Sequence, residues 1–303
     1  MKYVHYESNG QSQLGIRLEE GILPFTVLEQ QSAGTLQLPQ TVEQLLHHPE
    51  LHIHIEQWLQ NNRPTSSLLQ EQLVQETDIR WLPCVPAPGK VLCIGLNYRK
   101  HAAETGMAEP QTPIVFSKFS DTVAAHLDTV PLPLLSQQVD YEAELCIVIG
   151  KKADRVSKET ALEYVFGYCA SNDVSARDLQ MLTSQWLLGK TCDRFAPIGP
   201  YLVTADEVGN PNELGIRAYV NEQNVQDSNT SDMIFHCDEI VHYVSQYMTL
   251  LPGDIILTGT PEGVILGKPE NERVWLKDGD QVTIEIDRLG RLTNTFKAAS
   301  ISR

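Results

Sequence analysis

Residues 138–152 read QVDYEAELCIVIGKK, and the change of character inside this stretch decides how the chain is built. Glu142 and Glu144 stand two apart, so on an extended backbone both carboxylates leave the same face. The apolar, β-branched run CIVIG that follows predicts a strand, Glu142–Gly150, entering the core. Two carboxylates this close repel unless a cation or a shared proton relieves them, and burial makes the repulsion costlier. A solvent-facing edge with two acids is the plain alternative, and the tripeptide alone favours it.

On either side the pattern stays strand-rich. Lys90–Gly95, Ile114–Phe119, Tyr201–Thr204, Ile216–Asn221, Asp254–Leu257 and Gln281–Asp287 read as short strands, and Leu289-Gly290 as a hairpin turn. Helices are expected at Tyr98–Thr105, Ser157–Tyr164 and Asp238–Met248, where Ile240, Tyr243, Val244 and Tyr247 share a face. The mixture predicts an α+β fold, mostly β, with a largely antiparallel core. Residues 1–89 differ in texture, holding twelve glutamines and 4 Lys and Arg against 10 Asp and Glu. Thr41 with Gln44 predicts a capping box opening a helix at Val42–Leu46, and Leu51, Ile55, Trp58 and Leu59 repeat at helical spacing. WLPCVPAPGK (81–90) carries three prolines and reads as a linker, which divides the chain into a small N-terminal domain, 1–88, and a larger domain, 89–303.

A second acidic position changes the weight given to the first. GYCASNDVSARDLQ (167–180) ends an apolar run at Asp173, which supplies a third carboxylate if that strand end meets Glu142 and Glu144. Three carboxylates without cysteine or histidine nearby in sequence point to a hard cation such as Mg²⁺ or Mn²⁺. Arg177 and Gln180 follow at helical spacing from Asp173, although a surface ion pair explains Arg177 equally well. In GLNYRKHAAETG (95–106), Asn97 is expected to cap a short helix that Gly106 ends, with His101 and Glu104 at i,i+3. A carboxylate beside an imidazole holds its orientation and raises its basicity, as a general base requires; a solvated helix with a routine ion pair is the alternative. Lys118 and Lys190 are isolated cations among apolar or small residues, so each needs an anion, structural or from a substrate.

Composition excludes several functions. With 23 Lys and Arg against 39 Asp and Glu the formal charge is −16, a field that repels nucleic acid and anionic membranes. No apolar run approaches the roughly 20 residues of a membrane helix. The six scattered cysteines form no CxxC and fit reduced thiols in a cytoplasmic protein. GTPEG (259–263) lacks the Lys-Ser/Thr of a phosphate loop, and no G-x-S-x-G elbow occurs.

Taken in order, IGLNYRKHAAETG, PIVFSKFSDTV, VDYEAELCIVIGK, VFGYCASNDVSARDLQ, GKTCDRFAPIGPYLV, SDMIF and LLPGDIILTGTPEGV resemble the fumarylacetoacetate hydrolase superfamily from residue 90 to about 297. The resemblance implies a rolled, mixed β-sheet catalytic domain, a homodimer, and a metal site at its mouth. It implies that Glu142, Glu144 and Asp173 are metal ligands and that Lys190 is the active-site lysine. It implies too that His101 and Glu104 form a dyad on a mobile lid, and that Arg177, Gln180, Gly259, Thr260 and Lys118 line the substrate pocket. AAHLDTV (124–130) departs from the family in lacking a glycine beside His126, which is given no role.

The implied substrates are small 2-oxo acids with a second carbonyl or carboxylate two carbons on. The expected activity is metal-dependent C–C cleavage, as acylpyruvate hydrolase or oxaloacetate decarboxylase. A decarboxylase/isomerase of aromatic-acid breakdown shares every motif, and a non-catalytic small-acid binder is the reading from a different class.

Overall fold

In the computed structural model, which describes residues 1–61 and 72–299, Ala143–Ile149 lies inside a large sheet and every residue of it is buried. The reason is alternation across two covered faces. Leu145, Ile147 and Ile149 enter one apolar cluster with Tyr168, Ile216, Ile284 and Leu292, while Cys146 and Val148 enter another with Ile198, Ile255 and Leu257. A strand covered on both sides favours apolar residues on both faces, hence the unbroken run from Leu145 to Ile149 beyond Glu144. Glu144 shares the parity of Cys146 and Val148, and Glu142 precedes the strand in the same phase.

The sheet runs Gly21–Pro24, Gln11–Leu18, Lys2–Ser8, Ala196–Thr204, Val165–Asn172, Ala143–Ile149, Ile255–Leu257, Val91–Gly95 and Ile114–Lys118. Neighbours along this path are antiparallel except Ile255–Leu257 with Val91–Gly95. A second sheet, ordered Gln223–Asn229, Gly215–Val220, Gln281–Ile286, Gly290–Ala298 and Thr129–Leu132, closes over the first cluster. The hairpin expected at Leu289-Gly290 joins its third and fourth strands. The mostly β, α+β expectation holds, and a core layered between two sheets is the usual solution for strands with one apolar face.

The expected boundary at residue 88 falls in the loop before Val91–Gly95. The segment ahead of it adds strands to the same sheet, with Lys2 and Tyr3 opposite Val203 and Leu202. Its helices, through Leu45 and Ile55, share the second cluster with Val91 and Cys93. Thr41 accepts from the amide of Gln44 at 3.2 Å and opens the helix Val42–Leu46 as expected. The reciprocal bond goes from the amide of Gln40 to Gln44 Oε1 at 2.8 Å.

Three expectations need correction. Lys158–Tyr164 is a 3₁₀ helix, not an α-helix. The helix Cys237–Tyr247 buries Ile240, Val241 and Val244, whereas Tyr247 is 72% exposed and packs on Tyr243 instead. Asn97 does not cap Arg99–Glu104, because its amide is drawn away to the carbonyls of Phe235 and Thr258 and accepts from the amide of Phe235. Gly106, at φ +68°, does end that helix in the left-handed conformation open to glycine.

Candidate active site

Where Ala143–Ile149 begins and Val165–Asn172 ends, the antiparallel pairing sets Ala143 opposite Asn172. That register brings Glu142, Glu144 and Asp173 together at one end of the strand pair. Each offers an oxygen within 4.8 Å of the other two, and all three are buried. Burial, then the nearby Asp173 and Glu142 charges, push the Glu144 carboxyl well above its ordinary range. Its Oε2 accepts one hydrogen bond, 2.8 Å from the amide of Gly259. A convergent set of hard oxygen donors, one of them penalised by its own neighbours, fits Mg²⁺ or Mn²⁺.

Two lysines and an arginine brace the carboxylates. Lys190 Nζ lies 2.6 Å from Glu142 Oε2 and 3.0 Å from Asp173 Oδ2, with the Phe116 ring 5.1 Å beneath it. Burial alone would lower the Lys190 pKa, but Asp173 and Glu142 outweigh it and raise it. Arg177 is no surface ion pair. It is buried, donating from Nε to Asp140 at 2.9 Å, from Nη1 to Gln180 at 3.0 Å and from Nη2 to Glu142 at 2.6 Å. Burial raises the Glu142 pKa, but Lys190 and Arg177 outweigh that and hold it down to about 2.

Lys118, expected at the pocket edge, does not line the cavity. Its amine is fully buried 2.5 Å from Asp173 Oδ1 and donates to the carbonyls of Val174 and Phe195. The anion it needs is therefore structural. Gly259 likewise offers the cavity no free amide, since that group holds Glu144. A side chain at Gly259, where φ is +98°, would also meet Asn97 Cβ at 2.7 Å.

His101, Glu104, Glu142, Glu144, Arg177, Gln180, Lys190 and Thr260 line a cavity of about 360 Å³, whereas Asp173, fully buried, is not part of its lining. His101 Nδ1 lies 3.3 Å from Glu104 Oε2, leaving Nε2 as the ring nitrogen available to a substrate. Glu104 is itself held by the amide of Gly263, at 3.0 and 3.2 Å to its two oxygens. GTPEG thus anchors carboxylates at both ends, Gly259 on Glu144 and Gly263 on Glu104. Phe116 and Trp186, ring edge to face at 5.3 Å, form an apolar wall.

Two residues were not singled out from the sequence. Asp140 is buried and accepts from Arg177 and from the amides of Tyr141, Ile265 and Leu266, so it ties the Arg177 strut to a distant loop. Its place just ahead of the Glu pair was the available signal. Arg273, which also lines the cavity, carries no signal beyond its charge.

Residues 90–297 match the family model described as fumarylacetoacetate (FAA) hydrolase C-terminal. The chain belongs to the fumarylacetoacetate hydrolase family. A fumarylacetoacetate hydrolase domain-containing protein 2 homolog from Dictyostelium discoideum is 50% identical over 69% of this chain and 72% of its own length. An oxaloacetate tautomerase, named as mitochondrial, from Rattus norvegicus is 45% identical over 74% of this chain and 72% of its own. Among solved structures, a fumarylacetoacetate hydrolase from Exiguobacterium antarcticum superposes with a TM-score of 0.81 at 31% identity, covering 99% of this chain and 100% of that one. A maleylpyruvate hydrolase from Sphingobium sp. SYK-6, in complex with manganese(II) and pyruvate, gives 0.77 at 28% identity, covering 99% and 100%. This is a family of enzymes, and the resemblance read from the motifs is borne out over the span they cover. Among the described residues, no helix is long and apolar enough to cross a membrane, and no cysteine is paired.

Proposed function

We propose that this chain interconverts the keto and enol forms of oxaloacetate or a closely similar 2-oxo dicarboxylate. The observation that carries the proposal is the shared cavity: a carboxylate-held histidine faces the same small space as Glu142 and Glu144, with the buried Asp173 within 4.8 Å of both. Relatives named oxaloacetate tautomerases at 42–45% identity support the choice of substrate. Glu142, Glu144 and Asp173 would hold Mg²⁺ or Mn²⁺, which when bound supplies a template and a Lewis acid for the 2-oxo group.

The protein's own groups move the proton. His101 Nε2 takes a proton from C3; the C–H electron pair becomes the C2=C3 bond, the C2 oxygen gains the charge and takes a proton from solvent, and the His101 imidazolium releases its proton to solvent, which restores the base. Glu104 fixes the ring and stabilises the imidazolium. Lys190, held by Glu142 and Asp173, keeps positive charge beside the developing oxyanion. The apolar wall of Phe116 and Trp186 limits water, which strengthens these interactions.

C–C cleavage, the activity expected from the motifs, is the second reading. It is favoured by the hydrolase that superposes on this chain with manganese and pyruvate bound. The two readings separate in one assay, in which enol absorbance and pyruvate are followed together on oxaloacetate with Mg²⁺ or Mn²⁺. Accelerated enol loss without pyruvate supports tautomerisation. Pyruvate formed in step with substrate loss supports cleavage, and acceleration of neither overturns both. The proposal includes the homodimer implied by the resemblance, checked by sedimentation. It also includes a reducing compartment, which suits the unpaired thiols in the cytoplasm or in the mitochondria named for the rat relative.

A further inference from the structure

Four side chains able to carry positive charge line the cavity: His101, Arg177, Lys190 and Arg273. Three already have carboxylate partners in the protein. Lys190 is bonded to Glu142 and Asp173, Arg177 to Asp140 and Glu142, and His101 to Glu104. Arg273 differs. Among the described residues no carboxylate lies within ion-pair distance of it, and its hydrogen bond runs from Nε to the carbonyl of Lys268 at 2.9 Å.

That bond sets the orientation of the group. An arginine held through Nε keeps its planar guanidinium fixed and leaves the two Nη groups as a fork matched to a carboxylate. The carbonyl belongs to the loop that includes Ile265 and Leu266, whose amides are held by Asp140 at 2.9 and 3.0 Å. The same Asp140 takes Arg177, which grips Glu142. One buried carboxylate therefore fixes both the strut behind the metal-ligand candidates and the loop that anchors Arg273. A half-buried, unpaired cation on a rigid base inside an acidic protein is a receptor for an anion.

We propose that Arg273 binds the second carboxylate of the substrate, so that the cavity selects dicarboxylic 2-oxo acids over those with a neutral tail. This deepens the proposed function and rests on it for the position of the C1 carboxylate and 2-oxo group at the carboxylate triad. An oxo acid ending in a methyl ketone leaves the guanidinium without its counter-ion, and a four-carbon diacid supplies one.

The test uses two unreactive ligands that differ by that carboxylate alone, L-malate and L-lactate. Their binding to the Mg²⁺-loaded protein is measured by calorimetry for wild type, Arg273→Met and Arg273→Lys. Wild type should bind malate about tenfold more tightly than lactate, the scale of one charge-assisted fork in a partly exposed setting. Arg273→Met should bring malate to the level of lactate while lactate stays within about twofold, which also reports that the site is intact. Arg273→Lys should keep part of the preference. A malate preference that survives in Arg273→Met, no preference in wild type, or equal weakening of both ligands would each overturn the assignment. Oxaloacetate turnover is measured on the same wild-type sample. No turnover with the malate preference intact refutes the tautomerase reading alone, and turnover without the preference refutes the role of Arg273 alone.

Discussion

Gly267→Ala should damage catalysis while barely touching the fold. Gly267 does not have a positive φ, so alanine fits its backbone. Its added methyl, however, would lie 2.3 Å from Glu104 Cδ and 2.4 and 2.7 Å from the carboxylate oxygens. Ordinary contact needs roughly 3.5 Å, so Glu104 must retreat by about 1 Å. It then gives up the Gly263 amide at 3.0 Å and His101 Nδ1 at 3.3 Å. The Glu104 side chain is 22% exposed, so the displaced carboxylate finds water and the stability loss should be about 1 kcal/mol. Catalysis should suffer more, because an unoriented imidazole forfeits part of the roughly 10²–10⁴-fold of general-base assistance; a fall in kcat of about 10- to 100-fold is expected. The assay is oxaloacetate enol–keto exchange by wild type, Gly267→Ala, Glu104→Ala and the double variant, with urea midpoints as the stability check. The double variant should be no slower than Glu104→Ala, since the methyl acts only through that carboxylate. Additive losses, or an unchanged kcat in Gly267→Ala, would show that the methyl does not act through Glu104.

Further outcomes follow from the same contacts. Lys118→Met should destabilise the protein by about 3 kcal/mol, because Asp173 loses one of two buried counter-ions; a substrate contact would instead raise KM and leave the guanidinium midpoint unchanged. Glu144→Gln removes a carboxylate repelled by its neighbours while keeping an oxygen for the Gly259 amide. It should raise the melting temperature of the metal-free protein by about 2 °C or more and abolish the extra stabilisation by Mn²⁺. His126 accepts from the amide of Thr293 at Nδ1, and burial lowers its pKa to about 4. The unfolded imidazole takes up its proton near pH 6.5 and the folded one only near 4, so stability falls as pH drops through that window. About 2 kcal/mol should be lost between pH 7 and pH 5, and His126→Gln, which can still accept from Thr293, should lose less in urea titrations at the two values.

What the sequence made legible depended on how local the cause was. Glu142 and Glu144 gain weight once the apolar run behind them and Asp173 are read together, and His101 with Glu104 is visible as an i,i+3 pair that a routine ion pair explains as well. The paired strands at the N-terminus were not legible. Gln11–Leu18 (QSQLGIRL) alternates poorly and is fixed as a strand by Lys2–Ser8 beside it, which in turn docks on Ala196–Thr204. Asn97 reads as a cap, but buried carbonyls at Phe235 and Thr258, far along the chain, compete for its amide and win. Asp140 and Lys118 draw their meaning from partners brought near only by folding. Arg273 shows the same limit in a loop, where charge without periodicity gives no direction.

Glu142, Glu144 and Asp173 are expected to act as one cation site that the reaction needs. Electron paramagnetic resonance of Mn²⁺ titrated into metal-free protein, with oxaloacetate turnover recorded at each point, tests this directly. The predicted result is about one bound Mn²⁺ per chain, turnover rising in proportion to occupancy, and loss of both in Glu144→Gln. Full turnover before any Mn²⁺ is bound, or unaltered binding in Glu144→Gln, would contradict it.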